Sequence, residues 1–169
     1  MNVDVKGKRV VVAGGSRGIG RSIALMFAAA GANVSICARG VQALEATRAE
    51  LAAHGGVAHA GRCDLADEAS IKGYIAQAAT ALGGIDVLVN NATGYGMTDD
   101  ESSWDASLSL DLLAVVRASR EALPFLEAAR NGAISNIASG SGLKPSPRTP
   151  AYGAAKAAVI HYTRTQAAV

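Results

Sequence analysis

Three side chains near the end of the sequence have types and spacing that suit proton transfer to or from an alcohol oxygen. Tyr152 and Lys156 are four residues apart in a helical pattern, so they share one helix face. An ammonium group beside a phenol favours the phenolate, and such a phenol can exchange a proton with an alcohol oxygen near neutral pH. Ser139 ends an apolar strand pattern and could hydrogen-bond the same oxygen. A Tyr and a Lys at this spacing also occur as an ordinary surface pair, so their position in the fold decides the interpretation.

A glycine-rich loop, Gly14-Gly15-Ser16-Arg17-Gly18-Ile19-Gly20, follows the first strand pattern and opens into a helix. Gly14 would allow the sharp turn out of the strand, Gly18 the approach of a pyrophosphate, and Gly20 close packing of the helix on the strand. The helix N-terminus would present free N–H groups and a partial positive charge to the phosphates. The spacing differs from the commoner G-x-G-x-x-G, but the strand–loop–helix context predicts a dinucleotide site. The alternative is a tight turn without a ligand.

The end of the second strand pattern indicates which dinucleotide is bound. An NAD site is expected to carry a carboxylate here for the ribose 2′-hydroxyl, but Ala38 and Arg39 stand at this point. Arg17 in the glycine loop adds a second guanidinium, and two guanidinium groups suit a 2′-phosphate. We therefore predict NADP(H) over NAD(H); the alternative is that both arginines are solvated loop residues. Asp64, after the third strand, could accept a hydrogen bond from the adenine amino group, with Leu65 packing on the ring.

Strand and helix patterns alternate along the chain, and the elements they predict must position these side chains. The alternation predicts one α/β domain, residues 1–169, with a doubly wound parallel sheet (a Rossmann fold) in the strand order 3-2-1-4-5. In such a sheet the ligand lies beyond the carboxyl ends of the strands, where the glycine loop and Ser139 fall. The predicted strands are 9–13, 33–38, 57–63, 85–90 and 133–138, and the predicted helices are 19–30, 41–53, 71–82, 104–129 (ended or kinked near Pro124) and 151 to the last residue.

Composition and charge argue against several classes of protein. Half of the 169 residues are hydrophobic, and the net charge is +2 with acidic and basic residues mixed. The absence of a basic run argues against nucleic acid as a partner, and no apolar stretch is long enough to span a bilayer. We find no signal-peptide pattern and assign no residue to a metal. Cys37 and Cys63 show no disulfide spacing, which favours reduced thiols and a cytoplasmic location.

Together these motifs resemble the short-chain dehydrogenase/reductase family, close to its 3-oxoacyl-[acyl-carrier-protein] reductase branch. The resemblance covers nearly the whole chain. The residues that carry it are Gly14–Gly20, Asp64-Leu65, Asn90-Asn91-Ala92, Trp104, Asn136-Ile137-Ala138-Ser139 and Tyr152-x3-Lys156.

The resemblance implies an oxidoreductase that transfers hydride between a nicotinamide and a ketone or secondary alcohol, with 3-oxoacyl thioesters among the candidate substrates. It implies Tyr152 as the acid/base and Lys156 as the residue that holds the nicotinamide ribose and favours the phenolate. Ser139 would orient the substrate carbonyl. The turn Asn90-Asn91-Ala92 would lie beside the cofactor.

Three positions depart from the family pattern. Ala13 stands where Thr is usual before the first glycine, a change we expect to be mild. Thr93 replaces the usual Gly after Asn-Asn-Ala, and a β-branched residue there would be strained if its φ were positive. Asp111 stands where the family has its fourth catalytic residue, an Asn. It adds a negative charge that could pair with Lys156, so we expect a weakened or altered proton relay, and the hypothesis is that Asp111→Asn raises turnover.

The family pattern also bears on chain length and assembly. Family members run considerably further than Val169, so the C-terminal strands of the fold are expected to be missing from this chain. Helices matching 104–129 and 151–169 pair between subunits in the family, which implies a homodimer or homotetramer.

A second function stays open, namely a non-catalytic NAD(P)-binding module with a sensing or structural role. Thr93 and Asp111 favour this alternative, because both alter positions near the implied site. Ser139, Tyr152 and Lys156 oppose it.

Overall fold

Five short strands form one parallel sheet in the computed structural model, which describes residues 4–168. They are β1 (Arg9–Ala13), β2 (Asn33–Ala38), β3 (Ala58–Arg62), β4 (Val87–Asn90) and β5 (Ala133–Asn136). The helices are α1 (Gly18–Ala29), α2 (Val41–Ala52), α3 (Glu68–Leu82), α4 (Glu101–Ala106), α5 (Ala114–Ala128) and α6 (Pro150–Gln166). The strand order is β3-β2-β1-β4-β5, which confirms the predicted order and the doubly wound fold.

The central strand β1 supplies apolar side chains to both faces of the sheet. Val10 and Val12 pack with α1 and α2 on one face, whereas Val11 and Ala13 pack with α3 and α5 on the other. All four are buried, as expected where helices cover both faces. Each buried valine stabilises the fold by about 1.5 kcal/mol or more.

The strand order reverses beside β1, because β1 pairs with β2 on one side and with β4 on the other. The chain leaves β1 and β2 toward helices on one face, and it leaves β3 and β4 toward the other. A crevice therefore opens beyond the carboxyl end of β1, where the loops after β1 and β4 diverge.

Several predicted boundaries are wrong by a few residues. The predicted strands 57–63, 85–90 and 133–138 are shorter, and Ile137 and Ala138 leave β5 to line a cavity instead. Helix α6 ends at Gln166, so the prediction of helix to the last residue is wrong at 167–168, and Val169 lies outside the described residues. Within residues 4–168, no helix has both the length and the apolar character needed to cross a membrane.

The prediction of one helix over 104–129 is also wrong. The segment begins with α4, widens into a π-helix over Ser107–Leu113, and continues as α5 past Pro124 to Ala128. The wider π turn points the fully buried side chains of Ser107 and Asp111 toward the loop after β4, where both accept backbone N–H groups. A prediction based on the regular 3.6-residue helical period cannot identify this π-helical turn.

Candidate active site

The glycine loop after β1 has the geometry of a phosphate cradle. Gly14 has a φ of +87°, which gives the sharp turn out of the strand. A Cβ on Gly20 would overlap Gly14 O and Asn91 Nδ2, so only a glycine lets α1 lie this close to the loop. No side chain caps the N-terminus of α1, whereas the Asp67 carboxylate caps α3. The N–H groups of the first turn of α1 therefore suit the oxygens of a pyrophosphate.

Two side chains from outside the loop hold it in place. Asn91 Nδ2 donates to Gly14 O at 2.9 Å, and the buried Thr47 Oγ1 on α2 lies within donating distance of Ser16 O at 3.1 Å. The Asn91 side chain thus binds the loop itself. The sequence analysis did not identify Thr47; the available signal was a hydroxyl on the apolar face of a predicted helix.

A cavity of about 710 Å³ begins at the glycine loop and extends to α6. This volume is within the range of pockets that hold small molecules and cofactors. Every residue predicted to bind the cofactor lines it except Gly20, which packs beneath the loop. These lining residues are Gly14, Ser16, Arg17, Gly18, Ile19, Arg39, Asp64, Leu65, Asn91, Ala92, Tyr152 and Lys156.

One side of the cavity carries two exposed guanidinium groups. Arg17 comes from the glycine loop and Arg39 from the end of β2, and neither forms an ion pair within residues 4–168. The Asp64 carboxylate also lines the cavity, oriented by a hydrogen bond from the N–H of Ala66 at 3.0 Å. Leu65 is buried beside it. This part of the cavity can hold an anionic group near the arginines and an amino-bearing ring near Asp64.

The two cysteines lie under the same side of the cavity as free, buried thiols. Cys63 lines the cavity, and a hydrogen bond from the Cys37 thiol lowers its pKa from the ordinary value. Burial raises the pKa of Cys37 well above its ordinary value. Cys37 therefore loses its proton less readily than Cys63.

Helix α6 brings Tyr152 and Lys156 to the other side of the cavity. It begins with Pro150 in its first turn, a position that suits proline because the first N–H groups of a helix have no partner within it. Lys156 Nζ donates to Ile137 O at 2.8 Å and lies 5.6 Å from the centroid of the Tyr152 ring. The ammonium group is thus fixed beside the phenol.

Asp111 contacts Lys156 from the π-helical turn. Its Oδ1 lies 3.3 Å from Lys156 Nζ, and both side chains are almost completely buried. Oδ1 accepts no hydrogen bond from the residues described, so the contact acts through charge. Oδ2 accepts the N–H of Gly94 at 3.1 Å. The carboxylate therefore joins the lysine to the loop that follows β4, in agreement with the expected pairing.

Ser139 stands at the end of the segment after β5, next to Ala138 of the cavity wall. Its Oγ accepts the N–H of Ser141 at 3.2 Å and caps the short 3-10 turn Gly140–Gly142. Within 4–168 no side-chain hydrogen bond joins Ser139 to Tyr152. The structure thus brings Tyr152, Lys156 and Asp111 together and places Ser139 nearby.

The loop after β4 differs from the expectation at Thr93. The positive φ of this loop is at Tyr95, with a value of 51°, and not at Thr93. Thr93 Oγ1 accepts the N–H of Tyr95 at 3.2 Å. The Tyr95 ring meets the Tyr152 ring edge to face, with centroids 5.1 Å apart. The sequence analysis did not identify Tyr95, because a single aromatic residue in a loop carries no periodic signal.

The chain is similar in sequence and structure to known reductases and dehydrogenases. The 3-oxoacyl-[acyl-carrier-protein] reductase of Staphylococcus aureus is 37% identical over 168 residues, covering 95% of this chain and 67% of the relative. A short chain dehydrogenase from Burkholderia cenocepacia in complex with NADP is 36% identical with a TM-score of 0.91, covering 98% of this chain and 69% of that one. An NAD+-bound xylitol dehydrogenase is 27% identical with a TM-score of 0.92, covering 97% of this chain and 65% of that one.

The chain therefore spans about two thirds of the length of these relatives. The family model described as short chain dehydrogenase matches residues 8–168, which include the glycine loop, the Asn90-Asn91 turn and the Tyr152–Lys156 pair. On this match, and on the similarity to the solved structure from Burkholderia cenocepacia, the chain belongs to the short chain dehydrogenase family.

Proposed function

We propose that the protein is an NADP(H)-dependent oxidoreductase that interconverts a ketone and a secondary alcohol. The observation that carries this proposal is that Tyr152 and Lys156 line the same cavity as the glycine loop. This position supports Tyr152 as a proton donor beside a cavity suited to a dinucleotide. The reductase and dehydrogenase names of the relatives support the same class of reaction.

When bound, the nicotinamide cofactor supplies the hydride that reduces the carbonyl carbon. In that direction the Tyr152 hydroxyl donates its proton to the carbonyl oxygen, and the product is a secondary alcohol. Lys156 stabilises the phenolate that remains, because its ammonium group is held beside the ring by Ile137 O. Ser139 Oγ donates a hydrogen bond to the same carbonyl oxygen and orients it.

The preference for NADP(H) rests on Arg17 and Arg39. Both guanidinium groups border the cavity and are available to a 2′-phosphate. The relatives by themselves leave the preference open, because one binds NADP and another NAD+. Dissociation constants for NADPH and NADH test it. Arg39→Ala is expected to weaken NADPH at least tenfold and to leave NADH nearly unchanged, because a charge-assisted hydrogen bond is worth about 1.5–3 kcal/mol. Equal affinities of the native protein for the two cofactors would remove this argument.

Carbonyl reduction is tested by following NADPH absorbance with a panel of ketones, aldehydes and 3-oxoacyl thioesters. The thioesters are included because the Staphylococcus aureus relative is named for them. Tyr152→Phe is expected to lower turnover by at least a hundredfold, because it removes the proton donor and keeps the ring. Activity that survives in Tyr152→Phe would refute the assignment of the proton donor.

The second candidate is a non-catalytic NADP(H)-binding module. The observation that favours it is the buried Lys156–Asp111 contact, which engages the lysine within the protein. Tight NADPH binding together with no oxidation by any carbonyl compound would support this candidate over the enzyme.

We also propose that the protein assembles into homodimers or homotetramers through the segments 104–129 and 151–169. The exposed leucines Leu108, Leu113 and Leu123 on the first of these segments support an apolar contact. Light scattering tests the assembly, and a clean monomer would contradict it.

A further inference from the structure

Tyr95 presents an aromatic ring to the proposed proton donor. Its ring and that of Tyr152 have centroids 5.1 Å apart and planes at 69°. Tyr95 nevertheless keeps 55% of its surface exposed. Tyr95 is therefore an exposed aromatic residue in direct contact with Tyr152.

The backbone of the loop directs the Tyr95 side chain toward this position. A Cβ on Gly94 would overlap Ala106 O, and a Cβ on Gly96 would overlap Ser103 O. The backbone on both sides of Tyr95 therefore packs closely against α4. The loop is thus anchored on both sides of Tyr95, whose ring contacts Tyr152 on α6.

Hydrogen bonds hold Tyr95 in a backbone conformation that non-glycine residues rarely adopt. Its φ is 51°, and its N–H donates to Thr93 Oγ1 at 3.2 Å. Asp111 Oδ2 accepts the neighbouring N–H of Gly94 at 3.1 Å and lies 3.4 Å from Tyr95 N. The ring is therefore positioned by the same buried carboxylate that contacts Lys156.

We propose that Tyr95 is a specificity-determining residue that favours substrates with a planar ring attached directly to the carbonyl carbon, such as aryl ketones. This inference rests on the proposed function, because it takes Tyr152 as the donor to the carbonyl oxygen. When the carbonyl oxygen of a substrate is bound to the Tyr152 hydroxyl, a ring attached to its carbonyl carbon lies next to Tyr95. Two aromatic rings attract each other at centroid distances of about 4.5–7 Å. A saturated ring of the same size gains only apolar contact.

The test compares two ketones of nearly equal size, acetophenone and cyclohexyl methyl ketone, with the NADPH-bound protein. In the native protein kcat/KM is expected to favour acetophenone. Tyr95→Leu is expected to lower the ratio of the two kcat/KM values about 3- to 10-fold, mainly through a higher KM for acetophenone, because an aromatic pair is lost. Tyr95→Phe, which keeps the ring, is expected to preserve the ratio. Met97→Leu is the matched control, because Met97 is an exposed apolar residue of the same loop.

An unchanged ratio in Tyr95→Leu, or an equal fall in Met97→Leu, overturns the proposal. Thermal melting checks the fold of each variant, and Tyr95→Gly removes the ring while relieving the positive φ. If the native protein reduces neither ketone, the wider panel of carbonyl compounds decides the proposed function, which fails if none of them is reduced. The affinities of both ketones for the NADPH-bound protein, measured by saturation-transfer NMR, then decide the role of Tyr95. An acetophenone preference that Tyr95→Leu abolishes supports the proposal, and equal affinities in the native protein overturn it.

Discussion

Replacing Asp111 with Asn removes one charge from the most deeply buried part of the site. The carboxylate lies 3.3 Å from Lys156 Nζ, and the two side chains are 0% and 3% exposed. An Asn oxygen could still accept the N–H of Gly94, but its amide group would then face the ammonium as a second donor. Breaking a buried ion pair costs about 3–5 kcal/mol. Because Lys156 keeps its bond to Ile137 O, we expect the lower end, about 3 kcal/mol of unfolding free energy, or roughly 6–12 °C in Tm.

The same substitution is expected to raise turnover while it lowers stability. The neutral amide no longer offsets the charge of the Lys156 ammonium, which then stabilises the Tyr152 phenolate more strongly than in the native protein. Opposite changes in stability and activity are a pattern that simple disruption of the site would not produce.

The assays are urea unfolding and NADPH oxidation with the best carbonyl substrate of the panel. Asp105→Asn on α4 is the matched control, because it removes the same charge from an exposed position and is expected to change stability by less than about 0.5 kcal/mol. If Asp111→Asn is no less stable than Asp105→Asn, the ion pair adds nothing to stability. A flat or lower turnover would mean that the carboxylate belongs to the chemistry of this protein.

Two further predictions concern the sheet and the cofactor loop. A hydrogen bond from Arg9 lowers the pKa of Asp86 to about 2 from an ordinary 3.8, so the pair stabilises the fold by about 2 kcal/mol above pH 4, and this is lost as the pH falls from about 4 to 2. Asp86→Asn is therefore expected to flatten the acid limb of urea midpoints measured against pH, and a native-like limb would contradict the assignment. Gly20→Ala is expected to weaken NADPH binding at least tenfold, because the added methyl overlaps Gly14 O and displaces the loop. An unaltered dissociation constant in a fluorescence titration would show that the loop tolerates the methyl group.

Much of the fold follows from local properties of the chain. The run of valines in β1 and the spacing of apolar residues in the helices predict the type and length of these elements. Such patterns involve only residues that are close together in the chain. The alternation of strands and helices then restricts the topology to a few parallel orders, because crossovers between parallel strands are right-handed. For the same reason the glycine loop and the Tyr152–Lys156 spacing were recognisable without coordinates: each lies within one short segment.

The rest depended on which segments meet in space. Thr47 on α2 contacts the glycine loop, and Tyr95 in the loop after β4 contacts Tyr152 on α6. Neither contact can be predicted from the spacing of neighbouring residues. The π-helical turn that brings Asp111 to Lys156 departs from the regular helical period. The amino-acid sequence by itself thus determined most of the elements, the strand order and the types of the candidate site residues. Only the tertiary structure decided which of these groups touch, because a buried contact depends on close packing between segments far apart in the chain.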